Sequence, residues 1–490
     1  MSESVGRSAH FDLVARAHEE MRLRGFDPDF SAAADEQISH LPDATARTPN
    51  VRDLRRMLWS SIDNRESRDL DQIEFAERLP NDIIRLRIGI ADVDALVPEG
   101  SPIDLHAAQN CCSVYTGVAI FPLLPEALST DRTSLLEAED RLAVIVELDV
   151  DTQGGVADCV VYRALTRNCA KLAYEPVGDW LDGKADLPES VSRVPGLEAQ
   201  IRLQQEAAIR LSERRQREGA LQFETVEARP VVVAGRVTDL QVQTKNSARS
   251  MIENFMISAN TSAAAFLEHR GVGSIQRTVR SPERWPRIVE IAQRLGETLP
   301  PEPDPLALSQ LLAKRRAVDP DRFPDLSLSI VKLMGPGEYT LVKSGGEHSG
   351  HFGLAVYSYT HSTAPNRRYA DLIVQRALKA SLAASAAPYT DAELTQLAAR
   401  CTERENAARK VERFMRKAIA ATWMHDRIGA TFDAIVTGAS PKGTYVRVLK
   451  PPVEGRVVRG EEGLDVGDHT RVRLLAADPE RGFIDFERTH

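Results

Sequence analysis

The spacing of apolar residues divides the chain into regions of different character. Apolar positions at helical spacing predict a helix over residues 11–25, and Ser31 stands where it would cap a short second helix before Pro42. These patterns predict a helical region over residues 1–50. Longer helical patterns predict further helices at 197–217, 247–269, 366–385 and 390–427.

Short runs rich in Val, Ile and Leu predict strands among these helices. Residues 142–148 and 156–162 form two such runs, and residues 152–155 include two glycines suited to a turn between them. Strands interspersed with long helices are typical of a mixed α+β fold. We therefore expect an α+β domain over residues 51–427.

The pattern changes again at about residue 428. Short alternating runs at 431–438, 443–448 and 470–475 surround turn-forming residues. Several short strands separated by turns indicate a small all-β unit rather than a continuation of the preceding domain. The sequence therefore predicts a separate β domain over residues 428–490.

The composition is that of a soluble globular protein. The chain has 490 residues, of which 42% are hydrophobic and 27% are charged. No run of about 18 apolar residues occurs, so a membrane span is not expected. The N-terminus lacks the apolar core of a signal peptide, and the five cysteines show no metal-ligand spacing. These features predict a cytoplasmic protein with reduced thiols.

Candidate chemistry begins with three aspartates, Asp63, Asp69 and Asp71. In extended backbone, Asp69 and Asp71 would project to the same face, and the polar residues after Asp63 could turn the chain back toward them. Three close carboxylates repel one another unless a cation lies among them, and hard oxygen ligands suit Mg²⁺. The pattern on its own is more typical of a solvated acidic turn.

The charge distribution adds a second candidate surface. The net charge of −9 argues mildly against general nucleic-acid binding. Basic residues nevertheless gather late in the chain, where they could line a channel for a phosphate backbone or form solvated helix faces. They are Arg367, Arg368, Arg376, Lys379, Arg404, Arg409, Lys410, Arg413, Arg416 and Lys417.

Two separated blocks carry a family resemblance. The acidic stretch 62–72 is followed at 84–93 by a strand that ends in Ile-Ala-Asp-Val, and residues 351–354 and 359–371 form a second block rich in His, Thr and Arg. Both blocks resemble signatures of the ribonuclease II (RNB) family. The resemblance is to a short form that lacks the N-terminal cold-shock barrels, because the opening of about fifty residues is too short for them.

The resemblance implies a fold and a metal site. The expected fold is an RNB catalytic domain, a mixed sheet surrounded by helices, followed by a small C-terminal OB-fold barrel. By the same resemblance, Asp63 and Asp69 are Mg²⁺ ligands, and Asp71 orients the attacking water or binds a second metal ion. Gln72 stands where the family usually has another aspartate, and its neutral amide would be a weaker ligand.

The resemblance also implies groups that hold RNA. Arg367 matches the arginine that contacts the scissile phosphate, and Tyr115 and Phe223 match two aromatics that clamp bases. The remaining matches are Glu253 near the ribose hydroxyls, Glu412 near the leaving nucleotide, Tyr174 near the site, and Tyr445 with Arg447, Lys450, Arg456 and Arg459 in the barrel. Several alternatives remain open: core packing for Phe223, a solvated helix position for Glu253, an intrahelical ion pair for Glu412, a surface role for Tyr174 and a purely structural role for the barrel.

These expectations combine into one function. The resemblance implies a Mg²⁺-dependent hydrolytic exoribonuclease that degrades single-stranded RNA from the 3′ end to nucleoside 5′-monophosphates, with no protein partner inferred. Without leading barrels, the protein could instead prefer short oligoribonucleotides. A third interpretation is an RNA-binding protein whose catalysis is weakened by Gln72.

Overall fold

The computed structural model describes most of the chain. The described residues are 11–43, 50–224, 227–233, 236–243, 245–320, 322–346, 348–440, 443–450 and 452–489. The predicted helical region 1–50 therefore lies partly outside them, at residues 1–10 and 44–49.

Helices form the larger share of the described structure. They are α1 (Leu13–Leu23), α2 (Ala32–Ser39), α3 (Pro102–Asn110), α4 (Tyr174–Leu181), α5 (Glu189–Ser192), α6 (Leu197–Arg217), α7 (Ser247–His269), α8 (Trp285–Arg294), α9 (Pro305–Val318), α10 (Phe323–Met334), α11 (Tyr369–Leu382) and α12 (Asp391–His425). Within the described ranges, none of these helices has both the length and the apolar character needed to cross a bilayer.

Strands fall into a central sheet, three small pairs and a terminal barrel. They are β1 (Val51–Asp53), β2 (Trp59–Asp63), β3 (Gln72–Arg78), β4 (Ile84–Ala91), β5 (Val114–Tyr115), β6 (Ile120–Phe121), β7 (Asp140–Val150), β8 (Val156–Ala173), β9 (Glu227–Val233), β10 (Arg236–Gln243), β11 (Ser274–Thr278), β12 (Glu338–Val342), β13 (Thr431–Ser440), β14 (Gly443–Val448), β15 (Glu454–Arg459), β16 (His469–Asp478) and β17 (Phe483–Thr489).

Helix boundaries follow local signals in the sequence. The predicted helices at 197–217 and 247–269 are confirmed as α6 and α7, and the Ser31 side chain caps α2 by accepting from the Ala34 N–H. α12 begins with a capping box between Thr390 and Glu393. By contrast, α11 begins at Tyr369 rather than at 366, because Arg368 has an extended backbone and belongs to the preceding turn.

The central sheet has six strands in the order β1-β8-β2-β3-β4-β7. The long strand β8 pairs with β7 through its first part and with β2 through its last part. β2, β3 and β4 are antiparallel neighbours, with Ser60 opposite Glu74 and Gln72 opposite Ile90. This register brings the end of β2 next to the start of β3, where the predicted acidic residues lie.

Helices cover both faces of this sheet. Ile62 of β2 belongs to a buried cluster that includes Met251 of α7, while Ile73 of β3 belongs to another cluster that includes Leu372 of α11. Alternate residues of a strand point to opposite faces, so a sheet buried on both sides needs apolar residues at successive positions. The result is a rigid platform with α7 on one side and α11 on the other.

The C-terminal strands form a closed barrel in the order β13-β14-β15-β17-β16. Met424, near the end of α12, packs into the apolar centre of the barrel, which also contains Phe486. The expected fold class, an α+β domain followed by a small OB-type barrel, is therefore confirmed. Near the other end of the chain, Leu13 and Met21 of α1 pack against Val411 of α12.

Arg376, one of the basic residues late in the chain, is buried and does not line a channel. Arg376 is 4% exposed, and its guanidinium bonds to Asp94 Oδ1 at 3.0 Å and to Asp104 Oδ1 at 2.7 Å. The same group donates to the Tyr389 hydroxyl at 2.7 Å. Because its charge is compensated inside the protein, Arg376 ties α11 to α3 and is not available to RNA.

We expect Gly455→Ala to destabilise the barrel by about 1–3 kcal/mol, because overpacking a tight core is costly. A Cβ atom at Gly455 would collide with the Phe486 ring and lie 2.6 Å from the Ile484 carbonyl oxygen. Gly438→Ala is the matched control, since its Cβ would meet Tyr445 at 3.9 Å, an ordinary contact. Scanning calorimetry of the full chain measures both; equal transition midpoints for the two variants would contradict the packing argument.

Candidate active site

A cavity of about 620 Å³ opens where β2 ends and β3 begins. Most of the residues singled out in the sequence line it. They are Asp63, Asp69, Asp71, Gln72, Tyr115, Tyr174, Glu253 and Arg367. Phe223 and Glu412 are not among the lining residues. The cavity thus gathers side chains from distant parts of the chain.

Asp63 is the last residue of β2, and its carboxylate holds the turn that follows. Asp63 Oδ1 accepts from the Asn64 N–H at 2.6 Å and from the Ser67 hydroxyl at 3.1 Å. Burial raises the pKa of Asp63 above its ordinary value, and these two hydrogen bonds oppose the increase. The bonds turn residues 64–67 back on themselves, as the polar sequence predicts, so that Asp69 faces the same cavity.

Asp71 is the most buried of the three aspartates, with 3% of the residue exposed. Its Oδ1 accepts from the Asn366 N–H at 3.1 Å, and its Oδ2 lies 3.4 Å from Arg367 Nε. Burial raises the pKa of Asp71 to about 7, and the positive charge of Arg367 limits this increase. The carboxylate therefore faces both the cavity and the turn before α11.

Arg367 and Arg368 are adjacent in sequence but differ sharply in environment. Arg368 forms a bidentate pair with Asp371, with Nε–Oδ2 at 2.8 Å and Nη2–Oδ1 at 2.7 Å. Asp371 also accepts from the Ala364 N–H at 2.8 Å, so the pair fixes the whole turn. The Arg367 side chain is 46% exposed and is directed into the cavity. A planar guanidinium in this position can bind a phosphate.

The opposite wall of the cavity comes from α4 and α7. The guanidinium of Arg249 lies 4.3 Å from the centre of the Tyr174 ring and donates to Asn64 Oδ1 at 3.2 Å. Glu253 follows one turn later on α7 and pairs with Lys245 at 2.6 Å. This wall therefore offers an aromatic ring, a cation and a carboxylate to a ligand.

Tyr115 lies at the rim of the cavity and is 40% exposed. Its backbone N–H donates to Glu412 Oε1 of α12 at 3.2 Å. Glu412 therefore contacts the strand that carries Tyr115, rather than the cavity itself. An exposed aromatic ring beside a cavity with an arginine can stack on a nucleotide base.

Two predicted RNA contacts are placed elsewhere. Phe223 is partly buried and packs against the apolar cluster around Trp285 of α8. Arg447 in the barrel forms an ion pair with Asp325 of α10, and its side chain is 11% exposed. Both environments depend on long-range packing, which is why sequence motifs alone did not distinguish them from ligand-binding positions.

The structure also places residues in the cavity that the motifs did not identify. Arg249 precedes Glu253 by four residues on α7, so helical spacing could have indicated that both share one face. Asn260 lies two further turns along the same helix, and its amide donates to the Tyr359 hydroxyl at 3.2 Å. Asn260 and Tyr359 both line the cavity. Their contacts position the residues that precede Arg367.

The side chains of His, Cys, Asp and Glu in the described ranges nowhere form a group of three or more that could hold a metal ion. Asp63, Asp69 and Asp71 nonetheless share the cavity with the amide of Gln72. Their separation is physically reasonable, because carboxylates repel one another when no cation lies between them.

The chain matches two known protein families. The RNB domain matches residues 51–384, and the RNase II-type exonuclease C-terminal S1 domain matches residues 430–489. Ribonuclease R from Aquifex aeolicus is 30% identical over 464 residues, which cover 89% of this chain and 64% of that protein. A ribonuclease R from Thermotoga maritima is also covered over 64% of its length, so the chain spans less than two thirds of these relatives.

Solved structures share the fold at low identity. RNase R of Mycoplasma genitalium, in a complex with ribose-methylated single-stranded RNA, matches with a TM-score of 0.88 and 20% identity over 100% of this chain and 79% of that chain. Yeast Ssd1, described as a pseudonuclease, matches with a TM-score of 0.68 and 16% identity over 90% of this chain and 55% of that chain. These likenesses show the fold alone.

The architecture defines a class of protein, an α+β domain with an acid-lined cavity followed by a terminal S1-type barrel. The chain belongs to the RNB domain family, and the resemblance noted in the sequence is confirmed.

We expect Arg368→Met to reduce the free energy of unfolding by about 3–5 kcal/mol, because it leaves the fully buried Asp371 carboxylate without its cation. The neighbouring variant Arg367→Met is the control. Its side chain is half-exposed, and the Asp71 carboxyl that it leaves behind keeps the Asn366 N–H and, with a pKa of about 7, can take up a proton, so the loss should be smaller than for Arg368→Met. Denaturant unfolding at neutral pH measures both, and equal losses would contradict the assigned roles.

Proposed function

We propose that this chain is an exoribonuclease that hydrolyses single-stranded RNA from the 3′ end to nucleoside 5′-monophosphates, using Mg²⁺. One observation carries the proposal: the acids of the β2–β3 region and Arg367 meet in one cavity, although Asp71 and Arg367 are 296 positions apart in the chain. Carboxylates that bind metal ions and a guanidinium that binds phosphate are the groups that phosphodiester hydrolysis requires.

The oxygen ligands of the cavity fit a magnesium site. Asp63, Asp69 and Asp71 supply carboxylates, and Gln72 supplies an amide oxygen, all hard ligands of the kind that Mg²⁺ prefers. When bound, the metal would neutralise phosphate charge and lower the pKa of a coordinated water. The neutral amide of Gln72 weakens this set compared with a fourth carboxylate.

The protein side chains have distinct roles in binding the phosphate and orienting the water. Arg367 binds the scissile phosphate and stabilises the charge that develops on its oxygens. Asp71, held by the Asn366 N–H, accepts a hydrogen bond from the attacking water and orients it. The Arg368–Asp371 pair keeps Arg367 in place, and Arg368 also lines the cavity.

The cavity walls suit a single strand. Tyr115 at the rim stacks on a base, and Tyr174 and Glu253 contact the terminal nucleotide, where a carboxylate can accept from the ribose hydroxyls. Stacking does not depend on base identity, which suits an enzyme that degrades RNA of any sequence. The five cysteines are all free, which fits a reducing compartment, and we place the protein in the cytoplasm as part of this proposal.

The presence of Gln72 in the cavity favours a second candidate function, RNA binding with weakened catalysis. A glutamine contributes no charge to the metal site, so metal affinity and turnover would both decrease. A preference for short oligoribonucleotides is a further form of the enzymatic proposal. A digest of labelled RNAs of different lengths distinguishes these alternatives.

We expect the purified chain with Mg²⁺ to shorten 5′-labelled single-stranded RNA progressively and to release labelled mononucleotide at once from 3′-labelled RNA. Asp71→Asn should reduce the rate at least about 100-fold, because a water-orienting carboxylate contributes on this scale. Product analysis by chromatography should identify nucleoside 5′-monophosphates, and chelation of Mg²⁺ should stop their release.

The controls separate the candidate functions. RNA binding without turnover, rescued by Gln72→Asp, would support the weakened-catalysis alternative. Cleavage confined to very short RNAs would support the short-substrate form. Intact RNA that is neither bound nor cleaved would contradict the proposal.

We expect Tyr115→Ala to weaken binding of single-stranded RNA by about 1–3 kcal/mol, the usual contribution of one stacked base. Phe223→Ala is the comparison variant, because Phe223 packs against the apolar cluster around Trp285 and its loss should lower thermal stability more than RNA affinity. Fluorescence anisotropy with labelled RNA and a thermal melt measure the two effects. Equal RNA affinities for Tyr115→Ala and the parent would remove Tyr115 from the binding surface.

A further inference from the structure

The exposed side of α12 carries a concentration of positive charge. Five cationic residues lie between positions 409 and 417, a segment in which Glu412 is the single acid. At about 100° per residue, they occupy an arc of about 120° on the helix. The opposite side of the helix is apolar and packs against α1. The five residues are all exposed and together form the basic face: Arg409, Lys410, Arg413, Arg416 and Lys417.

This charge is largely uncompensated within the protein. Among the described residues, four of the five cations form no ion pair, and Arg409 pairs with Glu405. Glu405 also pairs with Arg277, which is 6% exposed, so part of its charge is used inside the protein. Glu412 turns toward the cavity rim, where its Oε1 accepts from the Tyr115 N–H at 3.2 Å. The helix segment therefore presents an excess of positive charge to solvent, although the whole chain has a net charge of −9.

The basic face begins beside the rim of the cavity. Glu412, which borders this face on α12, contacts the backbone of Tyr115, and Tyr115 is an exposed aromatic residue at the rim. In the proposed function, the 3′ end of the RNA lies in the cavity and Tyr115 stacks on a base. The nucleotides on the 5′ side of that base would leave the cavity at this rim, next to α12. Their phosphates would then lie close to the cations of the basic face.

The basic face ends at the C-terminal barrel. A Cβ atom at Gly482, in the turn between β16 and β17, would lie 3.3 Å from Lys417 Cβ. The residues on either side of Gly482 are Arg481 and Phe483, and both are exposed, Phe483 by 57%. Along about 12 Å of helix, the basic face thus joins an exposed aromatic residue at the cavity to another at the barrel. Cations between exposed aromatic rings are typical of a surface that binds single-stranded nucleic acid.

We propose that the basic face of α12 binds the phosphate backbone of the RNA segment on the 5′ side of the cavity and leads this segment to the barrel. The inference rests on the proposed function, because it takes the 3′ end of the RNA to lie in the cavity. Contacts to phosphates hold a strand in place but do not read its bases, so this surface accepts RNA of any sequence. RNA affinity should therefore increase with strand length until the basic face is covered.

The test measures RNA affinity of the full chain by fluorescence anisotropy in EDTA, which removes the Mg²⁺ that hydrolysis needs. The probe is a single strand of about 20 nucleotides, longer than one OB fold usually binds. The basic-face variant combines Lys410→Gln, Arg413→Gln, Arg416→Gln and Lys417→Gln. We expect about 10- to 100-fold weaker binding at about 0.1 M salt. The slope of log affinity against log salt should become shallower by about 2–3, because each phosphate contact of a single strand contributes about 0.7.

A matched control removes the same number of charges from other parts of the surface. It combines four exposed cations that do not line the cavity: Arg56→Gln, Arg270→Gln, Arg284→Gln and Arg400→Gln. Because salt screens distant charges, its RNA affinity should stay within about twofold of the parent. A second control exchanges arginine and lysine within the basic face and should keep the parent's salt slope: Lys410→Arg, Arg413→Lys, Arg416→Lys and Lys417→Arg. Thermal melts of all variants should agree with the parent, because the substituted side chains are exposed.

Strand length separates the basic face from the cavity. The loss of affinity in the basic-face variant should decrease as nucleotides are removed from the 5′ end of the probe. Equal losses in the basic-face and matched control variants, an unchanged salt slope, a loss independent of strand length, or a parent that does not bind RNA would each overturn the proposal.

Two further results keep the inference and the proposed function apart. Should the basic-face variant not fold, the single variants Arg413→Gln and Lys417→Gln replace it, and each should make the salt slope shallower by about 0.7. An unchanged slope in both would overturn the proposal. A length-dependent loss of affinity in a protein that leaves RNA intact with Mg²⁺ would support the binding surface and contradict the proposed hydrolysis.

Discussion

The arrangement of the cavity depends on the contact between Asp71 and the turn that contains Asn366 and Arg367. Asp71 lies just before β3, and the turn lies just before α11. This one carboxylate therefore joins the central sheet to a helix that is distant in the sequence. Its burial is tolerated because an N–H donates to one oxygen and a guanidinium lies near the other. Without this contact, the acids and the phosphate-binding group would belong to separate surfaces.

Other parts of the fold maintain that contact and leave one group available for a ligand. The Arg368–Asp371 pair is bidentate and its carboxylate is fully buried, which fixes the turn, whereas Arg367 stays half-exposed. Arg376 anchors α11 to α3 through its own buried ion pairs. The side chains of Arg368 and Arg376 thus stabilise the fold, whereas Arg367 keeps hydrogen-bonding capacity for a substrate.

Local features of the sequence were sufficient for much of the secondary structure. The limits of α6 and α7 follow from helical spacing, and the C-terminal β unit follows from short alternating runs, while its closure into a barrel was implied by the family resemblance. The start of α11 was misjudged, because the extended backbone of Arg368 depends on its pairing with Asp371 within the turn. Helix spacing is a property of neighbouring residues, whereas such a turn requires side-chain geometry that periodicity does not describe.

The sequence by itself determined the family and the fold class and identified the acids and the arginine that line the cavity, because these depend on residue type and spacing. Tertiary structure decided the environment of each residue: Phe223 packs against an apolar cluster, Arg447 pairs with Asp325, and Glu74 is fully buried. Burial and pairing arise when distant segments pack together, and they set the energetic consequence of each charge. The sequence gives the residue type, but only the fold decides whether a carboxyl group is solvated, paired or buried without a partner.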